Sequence, residues 1–311
     1  MGSPSYVVGV LEAILTLGHN VVGVYTQPDK PSGRGRSALP TPVKSYALSR
    51  DLQVFQPPSL RAVEAQQDLA LLEPDLVVVA AYGKLLPTSV LELPPHGCLN
   101  IHPSLLPKFR GPSPVASAIL EEEEPTGATV MLLDEGMDTG PILAARELWG
   151  WTSSATAQQL TEKLFELGAE MMAAVLADWL DGAIAPQAQD NAGATSTRKL
   201  EKTDGAADWT LSARELEKRC RAFTPWPGLY TTWGGKTLKV LSAQVVDDIK
   251  GPEQSENRHG TVGSGPGFDI GVATGRGVLA ISSLQMEGKR AVSPREFLQG
   301  YPEFVGSVLP S

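Results

Sequence analysis

Residues 75–80, DLVVVA, limit the fold more than any other stretch of this chain. The run is apolar without alternation. A strand with one face in water alternates polar and apolar residues, whereas an unbroken run marks an inner strand covered on both faces, as in a parallel sheet between helices. The chain supplies such helices. Residues 7–18 place apolar side chains at helical spacing and stop at Gly18, and a second helix is expected over 60–72. The clearest helical block is 153–181, where Thr156, Leu160, Leu164, Leu167, Met171, Val175 and Trp179 recur at steps of three and four. Further strands are expected at 20–25, 52–56, 98–102 and 128–133, the last with a hairpin partner at 141–146. Shorter helices are expected at 42–50, 89–93 and 115–123. This alternation describes an α/β domain over residues 1–183.

The second half reads differently. In residues 184–203 Pro, Gln, Ala, Ser and Thr together make up more than half of the positions, mostly as Ala and Thr, and the stretch reads as a linker. From 204 to 311, short strands at 230–233, 237–246, 260–264, 269–273 and 278–284 lie between glycine-rich turns, the pattern of a small β-barrel. Ser212 is placed to cap a helix over 213–223. A chain of 311 residues has the length for two domains.

Composition narrows the setting. No apolar run approaches the ~20 residues that span a bilayer. The opening MGSPSYVVGVLEAILTLGHN has no basic leader, so a cytoplasmic protein is expected. Cys98 and Cys220 are far apart and read as free thiols. A net charge of −9 argues against a broad nucleic-acid surface and leaves room for a local basic contact. The stretch DKPSGRGRSALPTPVK, residues 29–44, is such a place. It carries Lys30, Arg34, Arg36 and Lys44 against one acid. Taken alone, it fits an ordinary solvated loop better than a phosphate contact.

The chemistry concentrates in GCLNIHPSLLPKFRGPSP, residues 97–114. Asn100 and His102 are two apart at the end of a strand, so both side chains point to one face. The carboxyl end of a strand is where open α/β sheets bind ligands. An amide donates hydrogen bonds and an imidazole moves a proton near neutral pH, the pair that acyl transfer through an oxyanion requires. Asp138 lies in the turn DEGMDTG, residues 134–140. It is either a turn former or an acid that orients and charges His102.

With these residues in place, the sequence resembles the folate-dependent formyltransferases, most closely those that act on methionyl-tRNA. The marks are TQPDKPSGRGR, PVK, AYGKLLP, LNIHPSLLPKFRGPSP, the GMDTG turn, the DW before the second domain and RAFTPWPG. The Asn-x-His and Asp set belongs to the whole superfamily, while the basic loop and RAFTPWPG point to the tRNA branch. The resemblance implies a Rossmann-like domain followed by an OB-like β-barrel. It implies Asn100, His102 and Asp138 as the catalytic set. It implies binding of 10-formyltetrahydrofolate, as co-substrate and without a metal, by Ser104, Leu105, Leu106 and Pro107, together with Tyr82, Gly83 and Leu85. It implies initiator methionyl-tRNA as partner, met by Arg34, Arg36, Lys44, Lys199 and Lys202, and a monomer. Two other outcomes stay open: an enzyme of the same superfamily acting on an amino-sugar nucleotide or on the formylfolate itself, and an inactive RNA-binding remnant. Members of the family begin with a short apolar strand ahead of a Gly-Ser/Thr-Pro turn. Here Met1 directly precedes Gly2-Ser3-Pro4. The first strand of the sheet is therefore expected to be missing, its two neighbours are expected to carry unpaired backbone groups, and the natural start is expected upstream.

Overall fold

A computed structural model describes residues 1–32, 37–246 and 259–310. The chain forms two compact units. The first comprises Met1–Pro114, Glu124–Gly150 and Thr161–Arg198; the second comprises Val115–Glu123, Trp151–Leu160 and Lys199–Ser311.

The first unit holds β1 (Val24–Tyr25), β2 (Lys30–Ser32), β3 (Ser37–Leu39), β4 (Val54–Phe55), β5 (Val77–Val79), β6 (Cys98–His102), β7 (Thr126–Leu132) and β8 (Ile142–Leu148). Its helices are α1 (Val8–Thr16), α2 (Pro42–Ser49), α3 (Val63–Leu71), α4 (Thr88–Leu91) and the body of α6 (Ala157–Leu180); α5 (Pro114–Glu121) falls almost wholly in the second unit. The strand order is β5-β6-β7-β8, with β5 and β6 parallel and the other pairs antiparallel. Of the expected inner strand over 75–80, Val77–Val79 forms β5, which pairs with β6 at one end of this order and, among the described residues, meets only Met1 and Gly2 on its other side. Asn100 lies opposite Val79 on one side and Met131 on the other, and His102 lies opposite Thr129. Leu99, Ile101, Ala128, Val130, Phe165, Met172 and Leu176 are buried in one core cluster, which explains the apolar period of α6.

β1 and β4 pair in parallel as a separate two-stranded sheet. Met1 and Gly2 bridge β1 and β5. The Gly2 amide donates to the Tyr25 carbonyl at 2.9 Å and the Ala80 amide donates to the Met1 carbonyl at 2.9 Å. A cavity of about 270 Å³ adjoins these residues, with Val21, Val24, Val10, Leu76 and Val78 in its wall. The expected strand over 20–25 is consequently short: of it, only Val24 and Tyr25 are paired with β4.

Two features differ from the sequence expectation. The basic loop is a β-hairpin at its base, with Lys30 opposite Leu39 and Ser32 opposite Ser37; Arg34 and Arg36 lie outside the described residues. The 184–203 stretch is also hydrogen-bonded into the first unit. Gln187 and Ile142 exchange both backbone hydrogen bonds, at 2.7 and 2.8 Å, and the Thr197 amide donates to the Arg110 carbonyl at 2.7 Å. Composition alone signalled neither pairing.

The second unit is built on β9 (Leu229–Trp233), β10 (Lys236–Val246), β11 (Val262–Gly265), β12 (Phe268–Ala273) and β13 (Val278–Met286), antiparallel in the order β11-β12-β13-β10-β9. Helix α7 (Ala213–Ala222) starts as the sequence predicts. The Ser212 hydroxyl accepts from the Glu215 amide, and the Glu215 carboxylate reaches back to the Ser212 amide at 2.9 Å. Such a reciprocal cap satisfies two orphan donors. Trp209, Leu216, Leu238, Ile270, Leu279 and Phe304 form the core. Helix α8 (Pro294–Gly300) was not anticipated, although Ser293, Pro294 and Glu296 form its starting signal and the Ser293 hydroxyl accepts from the Glu296 amide. Both cysteines are buried and free, and burial pushes each thiol up to about 12, so neither is poised as a nucleophile.

Candidate active site

β6 delivers two polar side chains to one place. Asn100 is half-buried, and its amide makes no hydrogen bond among the described residues. His102 is 4 % exposed. Its Nε2–H donates to the Phe109 carbonyl at 3.0 Å. A carbonyl only accepts, so this contact sets the tautomer of the neutral ring and leaves the Nδ1 lone pair facing outward. Asp138 stands on that side, with Oδ2 3.7 Å from His102 Nδ1. The same carboxylate oxygen accepts from the Gly111 amide at 2.7 Å. Burial holds the His102 pKa below its ordinary value, while the Asp138 carboxylate and the Phe109 carbonyl pull it upward.

The acidic turn is fixed locally. Asp134 accepts from the Gly136 amide at 3.0 Å and from the Thr139 hydroxyl at 2.7 Å. Asp138 has a positive φ of 55°, and Gly140 passes so close to Leu132 that an added Cβ would fall 1.9 Å from its carbonyl oxygen. Turn geometry and the contact with His102 therefore coincide at Asp138, whose positive φ lies in the turn and whose carboxylate stands 3.7 Å from the imidazole.

The loop after β6 is tied to β7 through Thr129. Its hydroxyl donates to the Ser104 carbonyl at 2.7 Å and accepts from the Leu106 amide at 3.1 Å. The Ser104 hydroxyl is itself engaged by the Lys108 carbonyl at 2.7 Å, so Ser104 shapes this loop from within. Leu106 is buried, and Leu105 and Pro107 are half-buried. In the neighbouring loop the Tyr82 carbonyl accepts from Gln27 at 2.8 Å, Gly83 adopts a positive φ of 73°, and Leu85 is exposed. The Tyr82 hydroxyl is buried without a partner among the described residues, and burial pushes its pKa up to about 12.

Of the cationic residues, Lys44 is already engaged. Its ammonium meets Asp29 and Gln56, each at 2.6 Å, so it braces the base of the basic loop. Lys199 and Lys202 are exposed in the second unit. Sequence reasoning missed Arg110 and Gln189. They sit 79 positions apart, and no local pattern joins them.

Residues 1–176 match the family described as "Formyl transferase", and residues 199–302 match "Formyl transferase, C-terminal domain". A protein named methionyl-tRNA formyltransferase from Chloroflexus aurantiacus is 45% identical over 302 residues, covering 96% of this chain and 95% of its own. One of the same name from Myxococcus xanthus is 45% identical over 308 residues, covering 99% and 96%. Among solved structures, WlaRD, a sugar 3N-formyl transferase, superposes with a TM-score of 0.64 at 16% identity, covering 93% of this chain and 97% of its own. HypX from Aquifex aeolicus, solved with tetrahydrofolic acid, gives 0.61 at 18% identity, covering 83% and 44%. At these identities the structural likeness concerns the fold.

Proposed function

The chain belongs to the formyl transferase family, and from that membership we infer that it transfers the formyl group of 10-formyltetrahydrofolate to the α-amine of methionyl initiator tRNA. The folate supplies the formyl carbon as a co-substrate. The amine attacks that carbon, the bond from carbon to N10 breaks, and a proton passes from the amine to N10. An oxyanion forms between these events and must be held.

One observation carries the chemistry: a buried imidazole with a fixed tautomer lies 3.7 Å from a carboxylate and two residues along β6 from an amide that is unpartnered among the described residues. Asn100 donates to the developing oxyanion. His102 Nδ1 takes the proton of the attacking amine, and Asp138 stabilises the imidazolium that results. The loops at 104–107 and 82–86 line the folate side. Residues 1–183 carry catalysis in this reading, residues 204–311 with Lys199 and Lys202 hold the tRNA backbone, and Arg34 and Arg36 meet the acceptor end. We place the reaction in the cytoplasm, performed by a monomer.

The tRNA acceptor is favoured over an amino sugar by 45% identity across nearly the whole of both chains, against 16% to the sugar enzyme. The test is formation of formylmethionine from charged initiator tRNA and 10-formyltetrahydrofolate. His102→Ala is expected to abolish it, and Asn100→Ala to slow it about 10²–10³-fold, the usual loss for one oxyanion donor. Faster formylation of an amino-sugar nucleotide than of charged tRNA would overturn the assignment. An unimpaired His102→Ala would overturn the site.

A further inference from the structure

We infer that Gln189, oriented by Arg110, is a positioning residue that sets the distance between Asp138 and His102. The inference rests on the reading of those two residues given above. Gln189 Nε2 donates to the Asp138 carbonyl at 2.9 Å and to the Gly140 carbonyl at 2.7 Å. Its Oε1 accepts from Arg110 Nε at 3.0 Å and from Arg110 Nη2 at 2.8 Å. Arg110 Nη2 also donates to Asn191 Oδ1 at 3.0 Å. One amide thus joins the turn that carries Asp138 to the loop that holds the His102 ring.

The residue types follow from the partners. Two backbone carbonyls only accept, and a guanidinium only donates. The side chain between them must offer two donors at one atom and an acceptor at the next. A primary amide does this, and glutamine has the reach. Arg110 is 9 % exposed, so its donors require partners inside the protein. Its place at Oε1 forces the amide nitrogen toward the turn, which removes the ambiguity of an amide flip.

The backbone makes the clasp rigid. The Arg110 amide donates to the Thr195 carbonyl at 2.9 Å, and the Phe109 amide donates to the Thr195 hydroxyl at 2.8 Å. Phe109 is the residue whose carbonyl fixes His102. Gly111, next to Arg110, donates its amide to Asp138 Oδ2. Residues 187–197 therefore hold the imidazole's partner and the carboxylate's turn at once. A gap of 3.7 Å is wider than a hydrogen bond, so Asp138 acts on His102 through its charge, and that influence weakens as the turn withdraws.

The test is a double-mutant cycle on formyl transfer, with Gln189→Ala and Asp138→Ala alone and combined. Gln189→Ala is expected to lower kcat about ten-fold or more while KM for tRNA changes less than about two-fold. It should also move the acid limb of the rate profile to lower pH, because a withdrawn carboxylate no longer raises His102. In the Asp138→Ala background it should cost nothing further. Gln189→Glu keeps the Arg110 pairing and loses both donors, so it should fall with Gln189→Ala; it carries the test if the alanine variant does not fold. Rate and pH profile unchanged in Gln189→Glu, or an equal loss in the presence and absence of Asp138, would overturn the inference. If Asp138→Ala itself left the rate intact, the failure would belong to the catalytic reading.

Discussion

At the scale of the residue, opposed forces act on the His102 proton. Burial favours the neutral ring, whereas Asp138 and the Phe109 carbonyl favour the charged one, and burial prevails. The ring is therefore a base at neutral pH, able to accept the amine proton. The sign of the pH dependence follows. The rate should fall on acidification as His102 becomes protonated, with a midpoint below the ordinary imidazole value. Asp138→Asn removes one upward influence, so the midpoint should move to lower pH while the maximal rate drops. Stability responds in the same sense. With the folded pKa depressed, the unfolded chain binds more protons between the folded and ordinary values, so stability present above the ordinary value is lost as pH falls through that window. Thermal melts across the window should show a shallower slope for His102→Gln. An acid limb that Asp138→Asn moves upward would remove Asp138 from this account.

At the scale of the element, the reacting strand is held from behind by a helix that touches no substrate in this reading. Gly168 of α6 lies against Ile101, which sits between Asn100 and His102 on β6. A Cβ at Gly168 would fall 2.4 Å from Ile101 Cγ2. Alanine is the better helix former by about 1 kcal/mol, but pushing a fully buried Ile101 aside costs about 1–3 kcal/mol, so crowding prevails. Gly168→Ala is expected to lower the melting temperature and to slow transfer by shifting β6; a more stable, fully active variant would contradict this. The same strand shows what was legible in advance. The expected range 98–102 is β6 as observed, and Ser212 caps α7 as expected, with Glu215 completing the cap in the structure. Both are local signals, a period of two and a cap three residues from its partner. What was not legible is non-local. The clasp of residues 187–197 pairs with partners far away along the chain, and a Gln- and Thr-rich stretch looks the same whether its amides face water or carbonyls. Asn100, His102 and Asp138 were visible as types and spacing, but their convergence needed the register of β6 on β7 and the left-handed turn at Asp138.

At the scale of the whole molecule, charge sets the problem. A chain of net charge −9 must bind a polyanion. Repulsion from distant acids is screened beyond about 8 Å at physiological ionic strength, so binding depends on cations close to phosphates. The stretch 29–44 carries Lys30, Arg34, Arg36 and Lys44. Lys44 is committed to Asp29 and Gln56 at the base of the hairpin, so in the proposed reading the acceptor-end phosphates are left to Arg34 and Arg36. Arginine suits this role because its planar fork meets phosphate oxygens in pairs. Replacing Arg34 and Arg36 together by alanine should raise KM for tRNA and leave KM for the folate unchanged. The fall of log(kcat/KM) with log salt should become shallower by about 0.7 to 0.9 for each phosphate no longer neutralised. Lys44→Ala should act differently, by loosening the loop base, with a lower melting temperature and a salt slope close to that of the parent chain. Equal slopes for the parent and the double arginine variant, measured over the same salt range, would show that this loop does not meet the tRNA backbone.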